Sequence, residues 1–186
     1  MGDILSGIET RFQGRVSRYG SLGLIVAIVA LILDQISKHW ILFGINLPVQ
    51  QQIEVLPFFH LSMVWNDGVS FGLLGADGLG RWLLVLFSIV VSIFLINWVR
   101  KAERPWLAWS LGLVIGGAIG NAIDRIRFGA VVDFLDFSGL YFPWVFNIAD
   151  ACISIGVVML IWEVFTTKDT NSDSGPKDNS TGEKKA

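Results

Sequence analysis

Four stretches of this chain are long and apolar enough to cross a lipid bilayer, and no other feature restricts its fold as strongly. A spanning helix needs about 20 mostly apolar residues to cross a hydrocarbon core of roughly 30 Å. Residues 21–42, 82–99, 105–123 and 143–165 meet that requirement. The second carries no charge and is bracketed by Arg81 and Arg100, and the third opens on Pro105, a favoured first-turn residue. The first is interrupted by Asp34 and Lys38, and the fourth by Asp150. Only 16% of the residues are charged, against about 25% in a soluble domain. The expected fold is a membrane all-α bundle of four transmembrane helices in one domain, residues 1–165. The polar tail, residues 166–186, is expected to be disordered.

Basic residues orient the bundle. Arg11, Arg15 and Arg18 precede the first helix, and Arg100, Lys101 and Arg104 fill the turn between the second and third. Lys168, Lys177, Lys184 and Lys185 follow the fourth. With four spans all of these share one side, so both termini are expected in the cytoplasm. Residues 43–80 and 124–142 then face outward. No small-x-small cleavage site follows the first apolar run, which reads as an uncleaved span and not a signal peptide. Within the first outer segment, Gln51–Val55 and Phe59–Trp65 are rich in β-branched and aromatic residues, and Asn66-Asp67-Gly68 is a turn signal. A small β-sheet, or cradle, resting on the outer membrane face is expected there.

Several chemistries are excluded early. A net charge of −2 provides no basic field for nucleic acid. One cysteine, Cys152, and two histidines, His39 and His60, with no HExxH, remove the usual zinc ligand sets. Cys152 reads as a small core residue, and the two histidines as interfacial. Gly68-Val69-Ser70-Phe71-Gly72 matches the serine-hydrolase G-x-S-x-G, but that elbow has meaning only in a large α/β sheet, for which this chain has no room.

What remains is carboxylates, hydroxyls or pure binding. Ionisable groups within spans are functional candidates by default. Gly112, Gly116 and Gly120 recur every four residues along the third helix, a spacing that admits a close helix neighbour. Asn121, Asp124 and Arg125 follow on one face if the helix continues. Asn147 and Asp150 share a face of the fourth helix, with Asp150 about seven residues inside it and so roughly 10 Å from its end. Asp133 sits in the apolar run Val131–Leu135 of the outer connection, and on composition Asp136 or Asp124 could serve in its place. Asp34 and Lys38 read as an i, i+4 ion pair whose lysine snorkels to the interface. Two carboxylates meeting at a membrane surface suffice for acid–base cleavage of an amide, because like charges at close range share a proton. The same residues also fit a small proton-coupled transporter subunit, or an assembly factor with structural aspartates.

Taken in order, Asp34-Gln-Ile-Ser-Lys38, Asn66-Asp-Gly68-Val-Ser-Phe71-Gly72, Gly116-Gly-Ala-Ile-Gly120-Asn121-Ala-Ile-Asp124-Arg125, Gly129-Ala-Val-Val-Asp133-Phe134 and Phe146-Asn147-Ile-Ala-Asp150 resemble the lipoprotein signal peptidases, the type II signal peptidases of bacteria. The resemblance implies an aspartyl endopeptidase of the inner membrane with no cofactor. It would cut prolipoproteins on the N-terminal side of a diacylglyceryl-modified cysteine, near the periplasmic face. It also implies Asp133 and Asp150 as the catalytic pair, Asn121 and Asn147 as its supports, and Arg125 as a substrate-positioning residue. Asn66 and Gly68 would contact the peptide. Asp34, Lys38, Asp124, Gly116 and Gly120 would support the site. The expected partners are the lipidated substrate and membrane lipid, with the peptidase itself a monomer.

Overall fold

In the computed structural model residues 16–68 and 79–172 are described, residues 167–172 by backbone only. Residues 69–72 of the G-x-S-x-G match, Arg11, Arg15 and the tail from residue 173 lie outside them. Four long helices form the bundle: α1 Arg18–His39, α2 Leu79–Val99, α3 Pro105–Phe128 and α4 Ile148–Ser172. All four are long and apolar enough to cross a membrane. A π-helical turn, Trp40–Gly44, extends α1 and is followed by a one-turn helix, Leu47–Gln50. A four-stranded antiparallel sheet in the order β1 Gln52–Leu56, β2 Phe59–Asn66, β3 Val131–Asp136 and β4 Val145–Phe146 covers one end of the bundle.

Capping and close packing bind the opposite end. The Ser17 hydroxyl accepts the Gly20 amide at 2.8 Å, capping α1, and donates to the Ala102 carbonyl in the α2–α3 turn at 2.6 Å. The central helix is α3, in contact with each of the other three. Its glycines allow this: a Cβ on Gly116 would lie 2.5 Å from the Ala27 carbonyl of α1, and one on Gly117 would strike the Ala149 carbonyl of α4. The expected glycine groove is therefore a helix-packing surface, used on two sides.

Two helix boundaries differ from expectation in ways that matter for the site. First, α3 runs past residue 123 to Phe128, so Asn121, Asp124 and Arg125 are helical; Gly129 at φ 88° ends the helix and its amide bonds back to Arg125. Second, α4 begins at Ile148 and not at Pro143. The polar caps below stop the helix at Asn147, and residues 145–146 pair with β3 as strand β4. Asp150 thus lies in the first turn of α4, not two turns inside it. At the other end α4 continues seven residues beyond the expected limit, into the segment expected to be disordered.

The outer sheet is present with β1 and β2 close to their expected limits, and its interior strand β3 occupies the stretch expected as an apolar connection. Residues 131–134 and 136 of β3 are buried. Covering on both faces removes the polar–apolar alternation that marks a strand. The register sets Val64 opposite Asp133 and Asn66 opposite Val131. Ile41, Leu42, Leu47, Leu61, Val132 and Phe134 form the apolar layer joining the sheet to the bundle.

Candidate active site

Helix α4 starts with a reciprocal cap. The Asn147 side-chain oxygen accepts the Asp150 amide at 2.9 Å, and the Asp150 carboxylate accepts the Asn147 amide at 3.2 Å. This exchange satisfies two backbone donors at a helix end and puts a carboxylate at the positive end of the helix dipole. The Asn147 side-chain nitrogen remains free to donate elsewhere. It donates to Asp133 on β3 at 2.7 Å and to the Asn121 side-chain oxygen on α3 at 3.1 Å. Asn121 in turn donates to Asp150 at 2.7 Å. One residue, Asn147, therefore holds both Asp133 and Asp150, and Asn121 completes the brace.

Asp133 has a second donor, Asn66 at 2.9 Å, at the end of β2. The Asn66 side-chain oxygen accepts the Gly68 amide at 2.8 Å, so the turn expected at Asn66-Asp67-Gly68 is an Asx-turn. Gly68 adopts φ 75°, and a Cβ there would lie 2.6 Å from Leu84 and 3.2 Å from the Arg125 guanidinium. Asp133 is fully buried. Burial pushes its carboxyl up to about 6, and the nearby Asp150 adds to the rise against the hydrogen bonds from Asn66 and Asn147. Asp133, Asn66 and Gly68 border an open cleft of about 460 Å³, with Trp65 on one wall and Pro143 and Trp144 on the other.

A second polar cluster lies beside the first. Lys38 turns into the protein, 3% exposed, and pairs with Asp34 at 2.9 Å and Asp124 at 2.8 Å. It also donates to the Asn121 oxygen at 3.1 Å, which joins the clusters. The expected snorkelling lysine is thus corrected: with two carboxylates and an amide in reach, the ammonium has better partners inside than at the interface. Asp34 accepts the Ala149 amide at 3.0 Å, and Asp124 the Val132 amide at 3.2 Å, tying α4 and β3 to the cluster. A Cβ on Gly120 would sit 2.5 Å from the Asp34 carboxylate, so this glycine makes room for the ion pair.

Of the expected site residues, only Gly116 stands apart, packed against α1. Arg125 donates to the Asn121 carbonyl at 3.4 Å, and its buried Nε has no hydrogen-bond partner. Asp124 belongs to the Lys38 cluster. Asp136 accepts from Ser62 at 2.6 Å and from the Ser138 amide at 2.9 Å. Burial raises its carboxyl, but these bonds outweigh it and hold the group below its ordinary value. Cys152 is half-buried, and His39 is exposed against Phe43. Gln35, inside the Asp34–Lys38 motif, is a further member of this cluster; it donates to both Asp34 and Asp124 at 3.1 Å. Its position beside Asp34 was the available signal. Trp65 and Trp144 are further cleft residues that no motif marks. Among the described residues no group of histidine, cysteine and carboxylate side chains could hold a metal.

Residues 26–166 match the family described as signal peptidase (SPase) II. The chain belongs to this family. It is 52% identical over 155 residues to the lipoprotein signal peptidase of Caulobacter vibrioides, covering 83% of this chain and 92% of that protein. Against the lipoprotein signal peptidase of Methylorubrum extorquens it is 50% identical over 141 residues, covering 75% and 82%. A solved structure described as a bacterial membrane enzyme superposes with a TM-score of 0.68 at 28% identity, over 84% of this chain and 94% of the other. The protein is therefore a peptidase of lipoprotein processing and a multi-pass inner-membrane protein.

Proposed function

We propose that the peptidase is an aspartyl endopeptidase whose catalytic pair is Asp133 and Asp150. It releases the signal peptide of a prolipoprotein on the N-terminal side of a diacylglyceryl-modified cysteine. The observation that carries this reading is the shared hold of Asn147 on both carboxylates, beside a cleft that Asp133 borders. Asp34 and Asp124 have a lysine between them. Asp133 and Asp150 are held by neutral amides, which leaves the pair able to share a proton.

In the proposed reaction the pair carries one proton, and burial of Asp133 favours its residence there. The ionised carboxylate takes a proton from water as the water oxygen bonds to the scissile carbonyl carbon. The protonated carboxyl then gives its proton to the amide nitrogen as the carbon–nitrogen bond breaks. The signal peptide leaves with a new carboxyl group, and the lipidated cysteine acquires a free amine. The extended peptide enters between the Asn66–Gly68 turn and the Pro143–Val145 segment, with Arg125 beneath Gly68 positioning its backbone. Its acyl chains remain among apolar walls at bilayer depth.

Because such a substrate cannot leave the bilayer, the cleft belongs at the membrane surface. The Arg100–Arg104 turn lies at the other end of the bundle, and basic turns remain cytoplasmic. The cleft then faces the periplasm, with both termini in the cytoplasm and a single copy sufficient for the site. The test is cleavage by purified protein of one prolipoprotein with and without its diacylglyceryl group. Cleavage of the lipidated form alone is expected, with Asp133→Asn and Asp150→Asn each folded and inactive. Full activity in either folded variant would refute the pair, and equal cleavage of both forms would remove the lipid from recognition.

A further inference from the structure

A groove of about 530 Å³ runs along the outside of α1 at the sheet end, and no residue lining it borders the Asp133 cleft. Its wall is one helical stripe, Ile32, Ile36, Trp40 and Phe43, with His39 and Arg127 at the polar end. The π-helical turn shapes that end: a Cβ on Gly44 would lie 2.6 Å from the Trp40 ring, so the indole rests against bare backbone.

The groove is graded along the bundle axis. Gln35 hydrogen-bonds to Asp124 and so lies level with it. Arg127 is one turn nearer the sheet, whereas Ile32 lies a turn deeper in the bilayer. Arg127 is exposed and stacks on Phe128 at 4.9 Å. Among the described residues it has no carboxylate partner, in contrast to Lys38. Lys38 is buried between Asp34 and Asp124, so Arg127 is the cation exposed at the groove's interfacial end.

We propose that this groove binds an anionic phospholipid of the leaflet on the sheet side, its phosphate on Arg127 and one acyl chain along Ile36 and Ile32. The guanidinium suits a phosphodiester in charge and in its paired donors. Trp40 is an amphipathic ring of the kind enriched at headgroup depth. The diacylglyceryl group of the proposed substrate carries no phosphate, so this site is separate from substrate recognition and does not rest on the aspartyl mechanism.

The test is native mass spectrometry of the full-length protein in detergent with equal amounts of phosphatidylglycerol, phosphatidylcholine and diacylglycerol of matched chain length. Retention of phosphatidylglycerol is expected to exceed that of the other two about fivefold, the contribution of one arginine near a membrane surface. Arg127→Gln is expected to abolish the preference while cleavage in lipid-free detergent continues. Ile36→Trp, at a position facing lipid, fills the groove and is expected to lower retention of phosphatidylglycerol. Equal retention of the three lipids by the wild type, or an undiminished preference in Arg127→Gln, would overturn the proposal. Undiminished retention in Ile36→Trp would place the lipid elsewhere and overturn it as well.

Discussion

Two pairs of aspartates lie side by side at the sheet end of the bundle, and they are treated in opposite ways. Asp34 and Asp124 enclose Lys38 at 2.9 and 2.8 Å and accept backbone amides from α4 and β3. Asp133 and Asp150 are braced by Asn66, Asn121 and Asn147, and no lysine or arginine forms an ion pair with them among the described residues. A buried ion pair with its remaining valences satisfied holds elements in register. A carboxylate pair held only by neutral donors keeps its proton exchangeable. The same residue type thus serves as a rivet in one cluster and as the proposed reactive group in the other, and Asn121 touches both.

The largest effect is expected from removing charge in the second pair. Asp133→Asn or Asp150→Asn should lower the single-turnover cleavage rate at least ~10³-fold, within the range for loss of a general acid or base, while the melting temperature shows a folded protein. Breaking the first pair should act on stability instead. Lys38→Met leaves two buried carboxylates without their cation and should cost about 3–5 kcal/mol, read by thermal unfolding in detergent. If Lys38→Met left stability unchanged, the contrast between the clusters would collapse.

The pH dependence sharpens the comparison. The Asp133 carboxyl is raised to about 6, so the folded state binds a proton that the unfolded chain gives up near pH 4. This contribution to stability is present at low pH and is lost as pH rises from about 4 through about 6. The wild-type melting temperature should carry that decline, and Asp133→Asn should flatten it. Cleavage that needs one proton on the pair should fall as the medium becomes alkaline. Asn66→Ala removes a hydrogen bond favouring the ionised form, so it should shift that fall to higher pH. The smallest effect belongs to Gln35→Ala, which removes neutral donors from the lysine cluster and should cost about 1 kcal/mol.

Much of the bundle was legible because crossing a bilayer demands length and apolarity, and both are written along the chain. The spans at Asp34, Asn121 and Asp150 were recognisable as unusual because charge and amide groups are expensive there. The sheet was legible only in part. β1 and β2 have an Asx-turn beside them and a strand-like composition, whereas buried β3 lacks alternation. The start of α4 is not legible in the sequence because Phe146 and its neighbours are apolar enough to pass for helix. What stops the helix is the exchange between Asn147 and Asp150, which only their geometry reveals.

Sequence alone therefore determined the four spans, the class of groups available for chemistry and, through ordered motifs, the family. Tertiary structure decided how those groups are partnered. Lys38 stands four residues from Asp34 whether it snorkels or turns inward, and only the approach of α3 with Asp124 makes the interior favourable. Asp133 and Asp150 are separated by sixteen intervening residues in the chain and are coupled only because Asn147 spans the gap between strand and helix. Apolarity is a property each segment carries by itself, but the state of a carboxylate depends on what folds against it.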